Sequence, residues 1–317
     1  MSRILITGGS GFLGRNLASA LQDRGEVVLG ARNQKQLQAA ARDTGVDTTP
    51  LDVCNMESVR DAMNSVRPEV VIHAAATKFV DLAEKQPMEC VDVNVLGSQN
   101  VARSAVDHGV DVVLGISTDK AAPPAYNIYG LSKSIMERMF VSMSANSDTS
   151  FGCVRYGNVA WSTGSVLPIW KRMIETNGVI ESTGPKMSRF FFVVDEAVEL
   201  ISTALDNPEL VDGKVLSREM KGALMSRVLD IWCAETGVDW IKIDGRPGDR
   251  PEEYLIGESE CRSTSTVDMN GLTHYVITPN AILDDPLPAA VSSRGVTQLT
   301  DDEIRAIVLD PPALEHL

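Results

Sequence analysis

Tyr129 and Lys133 stand four residues apart in YGLSKSIMERMF (129–140), a stretch of helical character, so both side chains share one face. An ammonium beside a phenol favours the phenolate, which can take a proton from a substrate hydroxyl as the carbon gives up hydride. Upstream, STDKAA (117–122) sets an acid next to a base, Asp119 and Lys120, directly after Thr118. An alcohol oxidation needs only the tyrosine and its lysine. A second acid and base are what a proton removal coupled to loss of a leaving group requires. Two adjacent charges at a strand end can also be a simple ion pair, but their grouping with Thr118, Tyr129 and Lys133 favours a site.

A hydride needs a carrier. The N-terminal RILITG enters TGGSGFLG, giving Gly8, Gly11 and Gly14 at the spacing G-x-x-G-x-x-G between a predicted strand and a predicted helix. Such a loop lets a pyrophosphate approach the backbone, and the helix start offers free N–H groups and a positive dipole end. Phe12 and Leu13 within the loop, and Ala74 and Ala75 after a later strand, join the expected cofactor contacts with Tyr129 and Lys133. Sites that prefer NAD usually carry an acid at the end of the second strand, whereas this chain has Gly30-Ala31-Arg32-Asn33. Arg32 can pair with a 2′-phosphate, which favours NADP over NAD; its alternative is a solvated surface charge. Asp52 and Val53 are candidates for the adenine edge, although Asp at such a place is often a turn residue. His73, after an apolar strand and before three alanines, reads as a satisfied buried histidine.

These groups need a frame. Short β-rich runs at 3–8, 26–32, 69–75 and 111–118 alternate with helical stretches at 11–25 and 94–109, the pattern of βαβ units. The expected fold is α/β: a Rossmann-type doubly wound parallel sheet with a smaller mixed α/β substrate lobe. The expected division is a cofactor domain at 1–157 with a returning segment near 187–205, a substrate lobe at 158–186 and 206–285, and an acidic C-terminal tail at 286–317. Within that tail TDDEIRAIV reads as a helix capped at Thr300. At 317 residues, 44% hydrophobic and 23% charged, the chain has the composition of a soluble globular protein with a sizeable core. No apolar run reaches membrane length and no signal-peptide pattern opens the chain, so a cytoplasmic location is expected. A formal charge of −14 argues against nucleic acid as partner, while leaving an anionic small substrate compatible with a few convergent cations. The five cysteines show no metal-ligand spacing and read as reduced thiols; no metal is expected.

Taken together, TGGSGFLG, HAAATKFVDLAEKQPMECVDVNVLGSQNV (73–101), STDKAA, YGLSK, RYGNVAWSTGSVLP (155–168), MSRFFFVVDEAVELI (187–201) and RPGDRPEEYL (246–255) resemble the extended short-chain dehydrogenase/reductase superfamily. Within it they resemble the polysaccharide-biosynthesis UDP-N-acetylglucosamine 4,6-dehydratases, over nearly the whole chain. The resemblance implies oxidation at C4 of the sugar, removal of the C5 proton by Lys120, protonation of the departing C6 hydroxyl by Asp119, and return of hydride to C6. A basic lysine must be largely neutral, for which burial is a physical route. The resemblance also places Arg189 and Arg246 near the nucleotide, Glu253 on a ribose hydroxyl, Lys78 and Asn158 on the sugar or phosphate, and Asn94 as a support of the active-site strand and helix. It implies inversion at C5 and a homo-oligomer, a dimer or larger even assembly. The chain departs from the pattern at Trp161 and Thr163, where the family shows Gly and Arg, which suggests a large ring beside the sugar. Tyr126 is an added aromatic without Lys at +4. The rival reading is a nucleotide-sugar C4 or C5 epimerase, which keeps Tyr129 and Lys133 without needing Asp119 and Lys120; a non-catalytic NADP-binding regulator fits less well, since both catalytic residues are kept.

Overall fold

The computed structural model describes residues 2–245 and 248–311. Its first half runs β1 (Ser2–Thr7), α1 (Phe12–Leu21), β2 (Gly25–Ala31), α2 (Gln34–Thr44), β3 (Asp47–Pro50), α3 (Met56–Val66) and β4 (Val70–His73). There follow α4 (Val80–Lys85), α5 (Pro87–Val91), a π-helical turn (Asp92–Leu96) leading into α6 (Gly97–Asp107), β5 (Val112–Ile116), α7 (Ile128–Ser144) and β6 (Ser150–Val154). Strands β1, β2 and β5 are rich in Val, Ile and Leu and largely buried on both faces, as a parallel sheet covered by helices requires, while β3 at the sheet edge is polar and mostly exposed.

The six strands pair in parallel in the order β3-β2-β1-β4-β5-β6. Right-handed crossovers then put α1 and α2 on one face and α3, α6 and α7 on the other. The strand order reverses between β1 and β4, so a crevice opens beyond their carboxyl ends.

The second half comprises β7 (Asn158–Val159), α8 (Val166–Asn177), β8 (Val179–Ser182), β9 (Ser188–Phe192), α9 (Val194–Asp206), β10 (Val215–Arg218), β11 (Lys221–Leu224), α10 (Met225–Thr236), β12 (Asp239–Lys242), β13 (Tyr254–Ile256), β14 (Thr264–Met269), β15 (Leu272–Ile277), β16 (Val291–Ser292) and α11 (Asp301–Leu309). Here the chain is more interleaved than the expected ranges. β10 extends the large sheet in parallel beside β6, and β15 and β14 continue it antiparallel, to nine strands. These strands fall in 206–285, the segment expected in the smaller lobe. Their apolar residues Val215, Leu216, Val276 and Ile277 join the core of the large sheet, and irregular alternation concealed that.

A second core forms from Trp161, Trp170, Ile180, Leu229 and Trp232 with Ile304 and Val308 of α11. The acidic C-terminal segment therefore closes the smaller lobe. Thr300 caps α11 by accepting from the Glu303 N–H, with Glu303 reaching back to the Thr300 N–H, the reciprocal capping box its sequence suggests.

Candidate active site

A cavity of about 620 Å³ lies at the topological switch, between the carboxyl edge of the sheet and the smaller lobe. Its walls come from the loop after β1 (Gly8, Gly11, Phe12, Leu13, Gly14), the end of β4 (Ala74, Ala75), the turn after β5 (Thr118, Lys120), and Tyr129 and Lys133 of α7. The other side carries Lys78, Asn158, Arg189 and Glu253.

Two glycines of the loop are required by geometry. Gly8 has φ of 69°, and a Cβ there would meet the Ala75 backbone at 2.8 Å. At Gly14 it would meet the Gly9 carbonyl oxygen at 2.7 Å. Gly11 precedes α1 with no side-chain cap, leaving the first N–H groups of the helix for an anion. This cradle fits a dinucleotide pyrophosphate. Arg32 is exposed at the end of β2. Asp52 makes a local turn, accepting from the Cys54 N–H at 3.0 Å, and Val53 packs on Gly97. None of these three lines the cavity.

His73 is completely buried between hydroxyls: Thr7 Oγ1 lies 2.8 Å from Nδ1, and Ser98 Oγ lies 2.9 Å from Nε2 and donates to the Asn94 carbonyl. The Ala75 N–H donates to the same Thr7 hydroxyl. Burial, helped by the Lys133 charge, pulls the His73 pKa down to about 3. It is a neutral structural link between β1, β4 and α6.

Asn94 sits inside the π-helical turn. Its amide accepts from the Thr77 N–H at 2.8 Å and donates to the Thr77 carbonyl and to Ser132 of α7, both at 2.9 Å. One side chain thus ties the cavity loop to the tyrosine helix.

The acid and base groups converge, with three differences from expectation. Lys133 donates from Nζ to the Ile116 carbonyl at 2.8 Å, and burial pulls its pKa down to about 8. The cation that acts on Tyr129 is Lys120, which, with a hydrogen bond to Thr118, opposes the rise to about 12 that burial causes. Helix periodicity puts Lys133 on the same face as the phenol, but its ammonium is spent on the strand. Second, Lys120 is raised rather than neutralised: burial works downward, but Asp119 Oδ1 at 3.0 Å and Glu253 Oε1 at 3.6 Å outweigh it. Asn158 Oδ1 accepts a further hydrogen bond from Lys120 at 3.3 Å. Glu253 therefore lies within the acid–base cluster.

Third, Asp119 is fully buried behind Lys120 and Thr118 and does not reach the cavity wall. Its Oδ1 accepts from Thr118 Oγ1 at 2.9 Å. Among the described residues, neither Asp119 Oδ2 nor Glu253 Oε2 has a hydrogen-bond partner.

Arg189 lines the cavity with Nε 3.9 Å from Glu253 Oε1, held by the Ser188 and Arg250 carbonyls. Lys78 borders the cavity, and desolvation lowers its pKa to about 8. Arg246 lies outside the described residues.

Trp161 reverses its expectation. It adopts φ of 60°, a left-handed conformation suited to the glycine that the family shows there. Its ring turns away from the cavity into the second core, 5.6 Å from Trp232, and its Nε1 donates to the Ile307 carbonyl of α11 at 2.6 Å. Thr163 does line the cavity, whereas Tyr126 is 66% exposed outside it.

Reading the sequence missed the support beneath these groups. Arg155 is buried between Glu137 of α7 and Glu260, with Nη2–Oε2 at 2.6 Å and Nη1–Oε2 at 2.8 Å, and Glu137 also accepts from Ser117 at 2.5 Å. No local spacing signals a network spanning residues 117–260. Phe79, Met187 and Asp249 of the cavity wall were missed for the same reason.

The family model described as polysaccharide biosynthesis protein matches residues 4–274. The Staphylococcus aureus capsular polysaccharide biosynthesis protein CapD is 36% identical over 87% of this chain, which spans about half (49%) of that protein's length. A Campylobacter jejuni protein named UDP-N-acetylglucosamine 4,6-dehydratase (inverting) is 35% identical, covering 87% of this chain and 83% of its own. A Rickettsia conorii protein named UDP-glucose 4-epimerase is 34% identical over 81% of this chain and 78% of its own. Among solved structures, Pen from Bacillus thuringiensis superposes with a TM-score of 0.88 at 26% identity, over 97% of both chains. No helix among the described residues is long and apolar enough to cross a membrane. On the family match, the relatives and the doubly wound fold, the chain belongs to the polysaccharide biosynthesis protein family of extended short-chain dehydrogenases/reductases.

Proposed function

We propose that the protein is an NADP-dependent nucleotide-sugar 4,6-dehydratase that takes UDP-N-acetylglucosamine to the 4-keto-6-deoxy sugar with inversion at C5. The observation that carries this reading is the buried Asp119–Lys120 pair beside Tyr129, an acid and base beyond what an epimerase needs. The glycine cradle and α1 N-terminus would hold the pyrophosphate, and Arg32, exposed at the end of β2, supports NADP over NAD. When bound there, a nicotinamide cofactor would supply the hydride acceptor for C4 and the hydride donor for C6.

The chain's own residues handle the protons. Tyr129 takes the C4 hydroxyl proton, aided by Lys120 and Thr118. Proton transfer along the 3.0 Å Lys120–Asp119 hydrogen bond turns the ion pair into an amine and a carboxylic acid. The amine faces the cavity and removes the C5 proton, now acidified by the C4 ketone. Since Asp119 lies behind the wall, its proton reaches the leaving C6 oxygen through the Thr118 hydroxyl, which does line the cavity. Water leaves, and the pair returns to carboxylate and ammonium; as hydride reaches C6, C5 takes a proton from solvent and Tyr129 releases to solvent the proton it took from the C4 hydroxyl, so every group ends as it began. Lys78 and Arg189 supply cations for the diphosphate and Asn158 a polar contact for the sugar, with Arg246 assigned to the nucleotide by resemblance. We assign the chain to a homo-oligomer of even number and to the cytoplasm.

The epimerase reading keeps one point in its favour, the similarity to the Rickettsia protein named as such. Incubating purified protein with UDP-N-acetylglucosamine in heavy water, without added cofactor, separates the two. A dehydratase yields a product lighter by one water with deuterium at C5; an epimerase yields an isomer with no loss of water. Asp119→Asn or Lys120→Ala should slow dehydration by about 10²- to 10⁴-fold. Undiminished turnover in either variant would refute the mechanism.

A further inference from the structure

Lys120 is held by more negative charge than an ion pair needs. Asp119 alone satisfies it at 3.0 Å, yet Glu253 comes from a distant segment to lie 3.6 Å away on another side. Glu253 is 2% exposed, its N–H donates a hydrogen bond to Ser293 Oγ, and its carbonyl accepts from the Ser293 N–H, so its backbone is anchored beside the strand pair β13–β16. One carboxylate oxygen faces Lys120 and Arg189; the other is buried without a partner among the described residues. A carboxylate left half satisfied in a dry site is costly and is kept where its charge has a use.

We propose that Glu253 is the counter-ion that sets the working charge of Lys120, keeping the lysine as an ammonium between turnovers. The inference rests on the dehydratase reading for its catalytic meaning but on geometry for its substance. The charged and titratable groups facing this pair are Asp119 on the turn after β5, Tyr129 on α7, Arg189 on β9 and Arg250 before β13. Of these, Asp119 and Glu253 favour the ammonium, while Arg189 opposes it. Without the Glu253 charge, Arg189 and burial face only Asp119. The amine form of Lys120 then becomes available at lower pH. Glu253 is in this account a positioning residue for charge, acting through Lys120.

The test compares the protein with Glu253→Gln, which keeps shape and removes charge, and with Glu253→Asp, which keeps charge. Lysine-selective isotope labelling and NMR follow the Lys120 side chain, assigned by its loss in Lys120→Arg, through a pH titration without substrate. The Lys120 midpoint should fall by at least about one pH unit, tenfold in proton affinity, in Glu253→Gln, and lie closer to the parent in Glu253→Asp. An equal midpoint in parent and Glu253→Gln overturns the proposal. The pH profile of turnover then reads the catalytic consequence separately. In the proposed mechanism the pair must hold the Lys120 proton, so the alkaline limb moves to lower pH with the NMR midpoint. A moved midpoint with an unmoved limb upholds the counter-ion and instead removes Lys120 as the base.

Discussion

His73 makes the stability of this protein sensitive to acid in a way that can be separated from every other group. The folded chain holds its imidazole neutral down to about pH 3, because it is buried between the Thr7 and Ser98 hydroxyls with the Lys133 charge nearby. Unfolded, the same ring takes up a proton near its ordinary 6.5. The unfolded state thus binds more protons throughout that interval, so stability is intact above 6.5 and is lost as the pH falls toward about 3. Each unit is worth about 1.4 kcal/mol, which gives about 2 kcal/mol by pH ~5 and about 5 kcal/mol over the whole interval. His73→Gln keeps an acceptor and a donor for the two hydroxyls and cannot titrate. Denaturant unfolding of the two proteins at pH ~7.5 and at pH ~5 measures the difference of differences, cancelling the carboxylates they share. The parent should lose about 2 kcal/mol more than the variant. Parallel losses would show that His73 is not held neutral and would refute the directional chain of hydrogen bonds from Ala75 to Asn94.

Arg155→Met leaves Glu137 and Glu260 buried without their cation and should cost about 3–5 kcal/mol, measured by equilibrium unfolding; a change within about 0.5 kcal/mol would dismiss the network as a support of the site. Trp161→Gly removes a buried ring worth about 3–5 kcal/mol and relieves a left-handed backbone worth about 1–2 kcal/mol, for a net loss of roughly 1–4 kcal/mol. Because the ring faces α11, nucleotide-sugar affinity by calorimetry should change little, and a large affinity loss at unchanged stability would put the ring in the sugar site after all.

What was legible in the sequence was local. The glycine loop, the alternation of strand and helix, and Tyr129 four residues before Lys133 each depend on neighbours within a turn or a βαβ unit, and the corresponding elements form. What was not legible depends on groups brought together from afar. Period and spacing put Lys133 on the face of the phenol but do not reveal the Ile116 carbonyl that takes its ammonium. Adjacency paired Asp119 with Lys120 without revealing Glu253, which arrives through β13 and adds the second negative charge. Resemblance gave Asn94 a supporting role without its partners, and a π-helical turn makes it a clamp between Thr77 and Ser132.

Trp161 shows how a local departure can mislead about a site. A tryptophan in place of the family glycine changes size most, and size alone suggests a blocked sugar pocket. The backbone at that turn remains left-handed, so the Cα–Cβ bond leaves on the side that faces α11, and the indole finds its acceptor on the Ile307 carbonyl. The substitution therefore alters how the C-terminal helix is fastened to the smaller lobe, while the cavity is left with Thr163 as the departure it actually meets. Chemistry at this site is then a question of charge more than of volume: the family cation is missing at Thr163, and Lys78 and Arg189 join Lys120 and Lys133 as cations on the wall among the described residues.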